Sequence, residues 1–401
     1  MITHNPSYTT DPSPLALYIH IPFCPTRCSY CAFNTYTGLD DLVPAYVEAL
    51  CGELTWAGQA GGHPAIHTIY FGGGTPGVLS PLQLDRVLSA ARAAFVPVEP
   101  LEVTLETNPA AVTLAYCLGV HEAGVNRLSL GAQSAIPAEL RLFRRRHEWQ
   151  DVIDAVAAGR RAGFDNISLD LIYGAPGQTL ASWRRTLAAT LALEPDHLSL
   201  YSLSVEPGTA LEIWVRRGQV TAPDPDRAAD MYEAASEVLA GHGFEQYEIS
   251  NWARPGYACR HNLQYWRNLP YLGIGAGAYG YAGHVRYMAV ESPQRYIRLL
   301  AEAVDPVQLV FPLSAAASQE HIEYVDAAQA RTETVMLGLR LLQEGVSRAG
   351  FVARHGAPLE AYYGAALAKF SAVGLIELSD DRVRLTARAR LVSNRVIEDF
   401  V

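Results

Sequence analysis

Six times between residues 15 and 203 a short apolar run is followed by a longer segment of mixed polarity, and this rhythm restricts the chain to very few folds. The runs are LALYIHI (15–21), IHTIYFG (66–72), LEVTLE (101–106), VNRLSLG (125–131), ISLDLIY (167–173) and HLSLYSL (197–203). Each is rich in Val, Ile, Leu or Tyr and is bounded by Gly, Pro or a polar turn, as buried parallel strands are. The segments 41–58, 80–95 and 149–163 carry helical spacing. Successive strand-then-helix units imply an α/β fold with a parallel sheet and crossover helices. Eight units would close a barrel, so six leave two candidates, an open partial barrel or a doubly wound sheet.

The remainder divides by composition. Residues 1–14, rich in Pro, Ser and Thr, read as a poorly ordered tail, and 15–240 as the core domain. Within 241–325 the rhythm breaks into loops, aromatics and the Gly-rich YLGIGAGAYGYAG (271–283), which reads as a connecting or covering region. From 326 to 401 helical patterns return around a hairpin, LIEL and RVRL, giving a mostly helical C-terminal domain that resembles a winged helix. Winged helices often bind DNA. A formal charge of 31 − 41 = −10 opposes that, so a packing or lid role is expected and no nucleic acid. With no apolar leader and no membrane-length apolar stretch, the expected location is the cytoplasm.

Six cysteines are too few and too uneven for a disulfide framework, and three of them crowd into HIPFCPTRCSYCAF. Cys24, Cys28 and Cys31 follow the first strand directly. Three thiolates would leave one iron of a cubane open, whereas a structural zinc site takes four ligands, and His20 is awkwardly placed to be the fourth. After the second run comes Tyr70-Phe71-Gly72-Gly73-Gly74-Thr75-Pro76, where glycines permit close backbone approach to a ligand; a turn serving tight packing is the alternative. Polar groups sit at later strand ends: Glu106, Gln133, Arg145 nearby in RRRH, and Asp170. Taken singly, each could equally be a cap or a satisfied core group.

Together the triplet and the glycines resemble the radical S-adenosylmethionine superfamily. That resemblance implies a partial (β/α)6 TIM-like barrel and a [4Fe–4S] cluster on Cys24, Cys28 and Cys31. The open iron would be chelated by S-adenosylmethionine, which the reduced cluster cleaves to a 5′-deoxyadenosyl radical. The strand-end residues further resemble the oxygen-independent coproporphyrinogen III oxidase group. By that likeness Gly73, Gly74, Thr75, Glu106, Gln133, Arg145 and Asp170 hold S-adenosylmethionine, with Tyr18 and Tyr30 as neighbours of the cluster. Tyr279, in the Gly-rich loop, would meet a second molecule of it; a tight glycine turn is the alternative there.

Two departures narrow the resemblance. The oxidases carry a fourth cysteine two positions past the third, where this chain has Phe33, as in the heme chaperone subfamily of the group. Downstream, Arg260-His261-Asn262-Leu263-Gln264-Tyr265-Trp266 contains HNxxYW, which in that subfamily is associated with heme binding. His261 offers an imidazole to iron, and Tyr265 and Trp266 offer flat apolar surface to a porphyrin. Local capping by His261 with core packing of the aromatics is the alternative, and Cys259 is a rival soft ligand or simply a buried thiol. The leading expectation is a heme chaperone that delivers heme to acceptor proteins, draws electrons from a flavodoxin or ferredoxin, and works peripherally at membrane-bound acceptors. Porphyrin biosynthesis by oxidative decarboxylation of coproporphyrinogen III is the second, disfavoured by Phe33. Radical opening or alkylation of heme is a third.

Overall fold

The computed structural model describes residues 13–302 and 310–401, so the expected tail lies, except for Ser13 and Pro14, outside the described residues. Six parallel strands occupy the places read from the apolar runs: β1 (Leu15–Ile21), β2 (Ala65–Gly73), β3 (Val96–Thr107), β4 (Arg127–Gln133), β5 (Ile167–Tyr173) and β6 (His197–Ser202). The helices between them are α1 (Val43–Ala60), α2 (Pro81–Ala94), α3 (Leu114–Glu122), α4 (Pro137–Leu142), α5 (Trp149–Arg161) and α6 (Leu180–Leu191). Local sequence explains their limits. Ser80 caps α2 in a reciprocal box with Gln83 and is followed by Pro81 at the first helical position. In α1, Val43, Tyr46, Val47, Leu50, Leu54 and Ala57 are buried, the three-and-four spacing of one helical face against a sheet.

Register gives the sheet two unlike faces. Leu17, Ile69 and Val103 stand at one height on three neighbouring strands, as do Leu130, Leu169 and Leu198. These rows belong to the main apolar core, shared with the helices. Each such side chain contributes about 1.5–3 kcal/mol on burial. One residue along, on the opposite face, the row reads Tyr18, Tyr70, Thr104, Arg127. The runs therefore alternate, and their second face is polar.

The strands do not close on themselves. After α7 (Ala210–Arg216) and α8 (Pro225–Gly241), β7 (Glu245–Glu248) and β8 (Asn251–Ala253) add antiparallel to the β6 edge. The short helix α9 (Arg260–Trp266) then leads to β9 (Tyr271–Ile274), which pairs parallel with β1 at the other edge. Antiparallel β10 (Tyr279–Ala282), β11 (Val285–Met288) and, after α10 (Pro293–Glu302), β12 (Glu323–Tyr324) extend that edge, giving twelve strands in one sheet among the described residues. Segment 241–325, expected as a connection, thus supplies six of them. Each is two to four residues long, too short to leave a periodic trace.

The C-terminal unit comprises α11 (Ala327–Gly338), β13 (Val346–Ser347), α12 (Arg348–His355), α13 (Leu359–Ala372), β14 (Ile376–Leu378), β15 (Arg382–Leu385) and α14 (Ser393–Ile397). The expected hairpin is β14–β15, and β13 joins it as a third antiparallel strand. Leu339, Phe351, Leu367, Phe370 and Val396 form a separate core. An Arg267–Glu344 ion pair at 2.5 Å and an Arg354 Nη2 bond to the Asn268 carbonyl at 2.6 Å fasten this unit to the end of α9. Among the described residues no helix is long and apolar enough to cross a membrane.

Candidate functional site

The polar face of β1–β6 lines the lumen of the partial barrel, and cross-strand bonds define it. Tyr70 donates to Glu106 Oε1 at 2.6 Å, and Ser129 donates to Asp170 at 3.2 and 3.3 Å. Ser168 bonds His197 Nδ1 at 2.8 Å. Arg127 is 2% exposed and its Nε has no partner among the described residues. Thr68, Arg127, Ser129, His197 and Ser199 were not singled out from the sequence, and Tyr70 only as the first residue of the glycine segment. Their signal was the strict alternation inside each run, which a reading as fully buried strands passes over.

The cysteine loop hangs from the end of β1. Its base is closed by Cys24 N–H to the Tyr36 carbonyl at 2.9 Å and Tyr36 N–H to the Pro22 carbonyl at 2.7 Å. Its middle is pinned where Ser29 donates from N–H to the Phe143 carbonyl at 3.1 Å and from its hydroxyl to the Leu142 carbonyl at 2.6 Å. Cys24 Sγ lies 3.1 Å from Thr75 Oγ1, and Arg145 Nη1 donates to Cys28 Sγ at 3.5 Å. Burial raises the Cys24 and Cys31 thiols above the usual range, and the neighbouring thiols add to it. Among the described residues no His, Cys, Asp or Glu trio converges on a single-ion site. Three soft donors on one loop, within each other's field and beside a guanidinium, suit an iron–sulfur cubane that takes one thiolate on each of three irons.

The glycine segment runs against this loop. Gly74 N–H donates to the Ile21 carbonyl at 2.8 Å and Thr75 N–H to the Phe23 carbonyl at 2.9 Å. A Cβ on Gly74 would stand 2.7 Å from the Phe23 oxygen, and one on Gly73, at φ +116°, 2.6 Å from the His20 ring. Close approach therefore requires glycine at both positions, and the N–H groups of Gly74 and Thr75 serve the cysteine loop. Glu106 accepts from Tyr70 and from the Gly73 N–H; burial, with the charge of Asp170 added, pushes its carboxyl up to about 7. Burial likewise raises Asp170.

Gln133 and Arg145 meet over Gly131, where a Cβ would lie 2.9 Å from Gln133 Nε2 and 3.1 Å from Arg145 Nη2. Arg145 Nη2 donates to the Gly131 carbonyl at 2.7 Å. Gln133 holds φ +65°, a left-handed conformation that costs a non-glycine residue roughly 1–3 kcal/mol. Tyr30 packs edge-on against Phe143 at 5.5 Å, and Tyr18 bonds His20 Nδ1 at 3.0 Å. The strand-end residues and the cysteines are thus assembled at one mouth of the lumen.

The HNxxYW residues lie at its other end. Glu102, on β3, accepts from the N–H groups of Arg260 (3.0 Å) and His261 (2.9 Å), fixing α9 across the starts of the strands. His261 is 1% exposed; Nδ1 bonds Thr68 Oγ1 and Nε2 bonds Tyr265 OH, both at 2.8 Å. Burial, with His67 and Arg127 adding to it, holds this imidazole neutral down to about 3. As placed, neither ring nitrogen is open to iron; ligation would require the ring to give up a bond and leave the lumen. Cys259 donates to Glu102, and burial pushes its thiol up to about 12.

Tyr265 and Trp266 face different spaces. Tyr265 lines a cavity of about 770 Å³ bounded by the cysteine loop, β9–β11 and α11. Trp266 lines a wider cleft of about 1550 Å³ between the barrel and the C-terminal unit. The structure does not bring the two rings to one surface. Tyr279, 49% exposed, borders the smaller cavity together with Phe33, which is 67% exposed.

Comparison with known proteins accords with this geometry. Residues 18–189 match the Radical SAM superfamily, and residues 325–392 match the HemN C-terminal domain. The chain is 38% identical to a protein named heme chaperone HemW from Mycobacterium tuberculosis, over 97% of this chain and 95% of that one. A Bacillus subtilis protein of the same name is 37% identical over 96% and 98%. Among solved structures, coproporphyrinogen III oxidase (HemN) from Escherichia coli, described as a radical SAM enzyme, superposes with a TM-score of 0.82. It is 22% identical, with 98% of this chain and 92% of that one covered, and so shares the fold.

Proposed function

This chain belongs to the family of the heme chaperone HemW within the radical SAM superfamily, and from that premise we propose that it binds heme and delivers it to acceptor proteins. The carrying observation is Phe33. It stands exposed on the cysteine loop where the oxidases have a fourth thiol, beside the aromatic cavity and among relatives named as heme chaperones over nearly their whole length.

Cys24, Cys28 and Cys31 hold the [4Fe–4S] cluster in this reading. When bound, the cluster supplies the electron that activates S-adenosylmethionine. The chain's part is placement. Arg145, anchored on Gly131 between Gln133 and Cys28, offers a guanidinium to the cofactor's carboxylate, and Glu106 and Asp170 offer acceptors to its ammonium and hydroxyl groups. Gly73, Gly74 and Thr75 let the backbone come close, and Tyr18 and Tyr30 frame the mouth. Tyr279 borders the adjoining cavity from β10, where a second molecule of the cofactor is the other possible occupant. A flavodoxin or ferredoxin is the proposed reductant, and membrane-bound heme proteins met peripherally from the cytoplasm are the proposed acceptors.

The fold shared with HemN supports a second reading, oxidation of coproporphyrinogen III. Both are tested on one anaerobic sample with the cluster reconstituted, by hemin titration and by a decarboxylation assay with reductant and S-adenosylmethionine. Saturable heme binding without protoporphyrinogen is expected. Absence of heme binding, or turnover to protoporphyrinogen, would overturn the chaperone reading.

A further inference from the structure

If heme is the cargo, its iron needs a ligand that the fold presents to an accessible space. The cavity beside Phe33 is the space continuous with the cysteine loop. Its walls are the rings of Tyr18, Tyr265 and Tyr279, with Met288 from β11 and Met336 from α11. Two of the chain's four methionines therefore line one cavity. Its volume of about 770 Å³ falls in the range of roughly 300–1,000 Å³ typical of sites for small molecules and cofactors. Flat aromatic walls and soft, adaptable thioethers suit a planar macrocycle.

Four other polar groups bordering it, His20, Tyr18, Tyr265 and Arg286, are engaged or kept protonated. Among the described lining residues His20 is the only histidine; its Nδ1 bonds Tyr18 OH and its Nε2 donates to the Asn34 carbonyl, each at 3.0 Å. The phenols of Tyr18 and Tyr265 are kept protonated by burial. Arg286 is paired with Glu323 at 2.7 Å and Glu333 at 2.8 Å, so the propionate edge has no free cation among the described lining residues and is left at the open rim. A thioether has no proton to lose, and among the described residues neither sulfur is engaged in a hydrogen bond.

Resting on the heme reading above, we propose that heme seats in this cavity, entering past Phe33, with the thioether of Met288 or Met336 as axial ligand to iron. His261 is then a positioning residue. Its bond to Tyr265 OH holds one aromatic wall, which accounts for a histidine with no open nitrogen at the head of a heme motif.

The test uses full-length, cluster-loaded protein titrated anaerobically with hemin and with ferrous heme, read by Soret absorption, electron paramagnetic resonance and magnetic circular dichroism. Met288→Leu, Met336→Leu and their combination conserve volume. Retained cluster absorption and S-adenosylmethionine binding verify that each is folded. The double variant is expected to lose the sulfur-ligand signature and to bind heme about tenfold or more weakly. His261→Ala is expected to weaken binding while the heme that does bind keeps the wild-type spectrum, and Tyr265→Phe, which keeps the ring but loses the same bond, to weaken it in the same way with the spectrum unchanged. A double leucine variant with an unchanged spectrum, or loss of the axial signature in His261→Ala alone, overturns the assignment. Displacement of heme by excess S-adenosylmethionine in cluster-free protein would give the cavity to the nucleoside and overturn it as well. Wild type that binds no heme at all refutes the chaperone reading itself, a result distinct from either.

Discussion

Replacing Glu106 by Gln isolates what the lumen charges cost the empty protein. The Glu106 carboxyl is raised from 4.5 to about 7, chiefly by burial. A carboxyl whose folded value lies above its unfolded one favours the fold while protonated. Its contribution is complete below 4.5 and is lost as pH rises through about 7. At 1.36 kcal/mol per pH unit the full loss is about 3 kcal/mol, most of which falls between about pH 5 and about pH 8. Glutamine keeps the Tyr70 bond and does not ionise, so Glu106→Gln should gain on wild type by that amount across the interval. With about 2.1 cal/mol/K of unfolding entropy per residue, this is a relative rise of about 3 °C in Tm for the 401-residue chain. Calorimetry of cluster-free, ligand-free protein reads it directly. If Glu106 receives the ammonium of S-adenosylmethionine as proposed, the same variant should lose about tenfold or more in affinity. For wild type, affinity should decline about tenfold per pH unit below 7, because the carboxyl must then shed a proton to bind. A Tm difference that does not change with pH, or a glutamine variant that binds the cofactor as wild type does, would refute the reasoning.

Arg127→Met removes a cation that holds down both Glu106 and Asp170, so the midpoint for pH-dependent cofactor binding should move to higher pH; an unmoved midpoint would place Arg127 outside that field. Arg145→Met deprives the Gly131 carbonyl of its donor and should cost about 1–3 kcal/mol by denaturant unfolding, together with most of the cofactor affinity. A pair of glycines tests the packing: a Cβ on Gly77 would lie 2.0 Å from Thr107 Oγ1, so Gly77→Ala should lose about 1–3 kcal/mol. Gly52→Ala, inside α1 with open space around it, should gain about 0.5–1 kcal/mol in the same assay.

Long runs and long helices were legible because burial against a layer of helices writes an apolar pattern over six or more residues. The strand-end residues were legible through their order along the chain, and Glu106, Gln133, Arg145 and Asp170 do gather at one mouth. The lumen beneath them was missed for a physical reason. Thr68 bonds His261 and Tyr70 bonds Glu106, partners distant in sequence, so each looks like an isolated polar residue in a core strand. β9 was hidden because four residues, one of them Gly273, between Pro270 and Gly275 carry no period. One misplacement was avoidable. Tyr265 and Trp266 are consecutive on a helix and about 100° apart, so a single flat ligand could not rest on both, whereas His261 and Tyr265, four apart, share a face.

A closed barrel of this kind is normally filled with branched aliphatic side chains and coheres from within. Here the interior row of Tyr18, Tyr70, Thr104 and Arg127 leaves cohesion to the outer contact between strands and helices. Ligands at one hundred times their dissociation constant would add about 2.7 kcal/mol to such a shell. The loaded protein is then the durable form and the empty one the preferred meal of proteases. Supply of cluster, cofactor and cargo thereby governs how many copies survive as well as how many work.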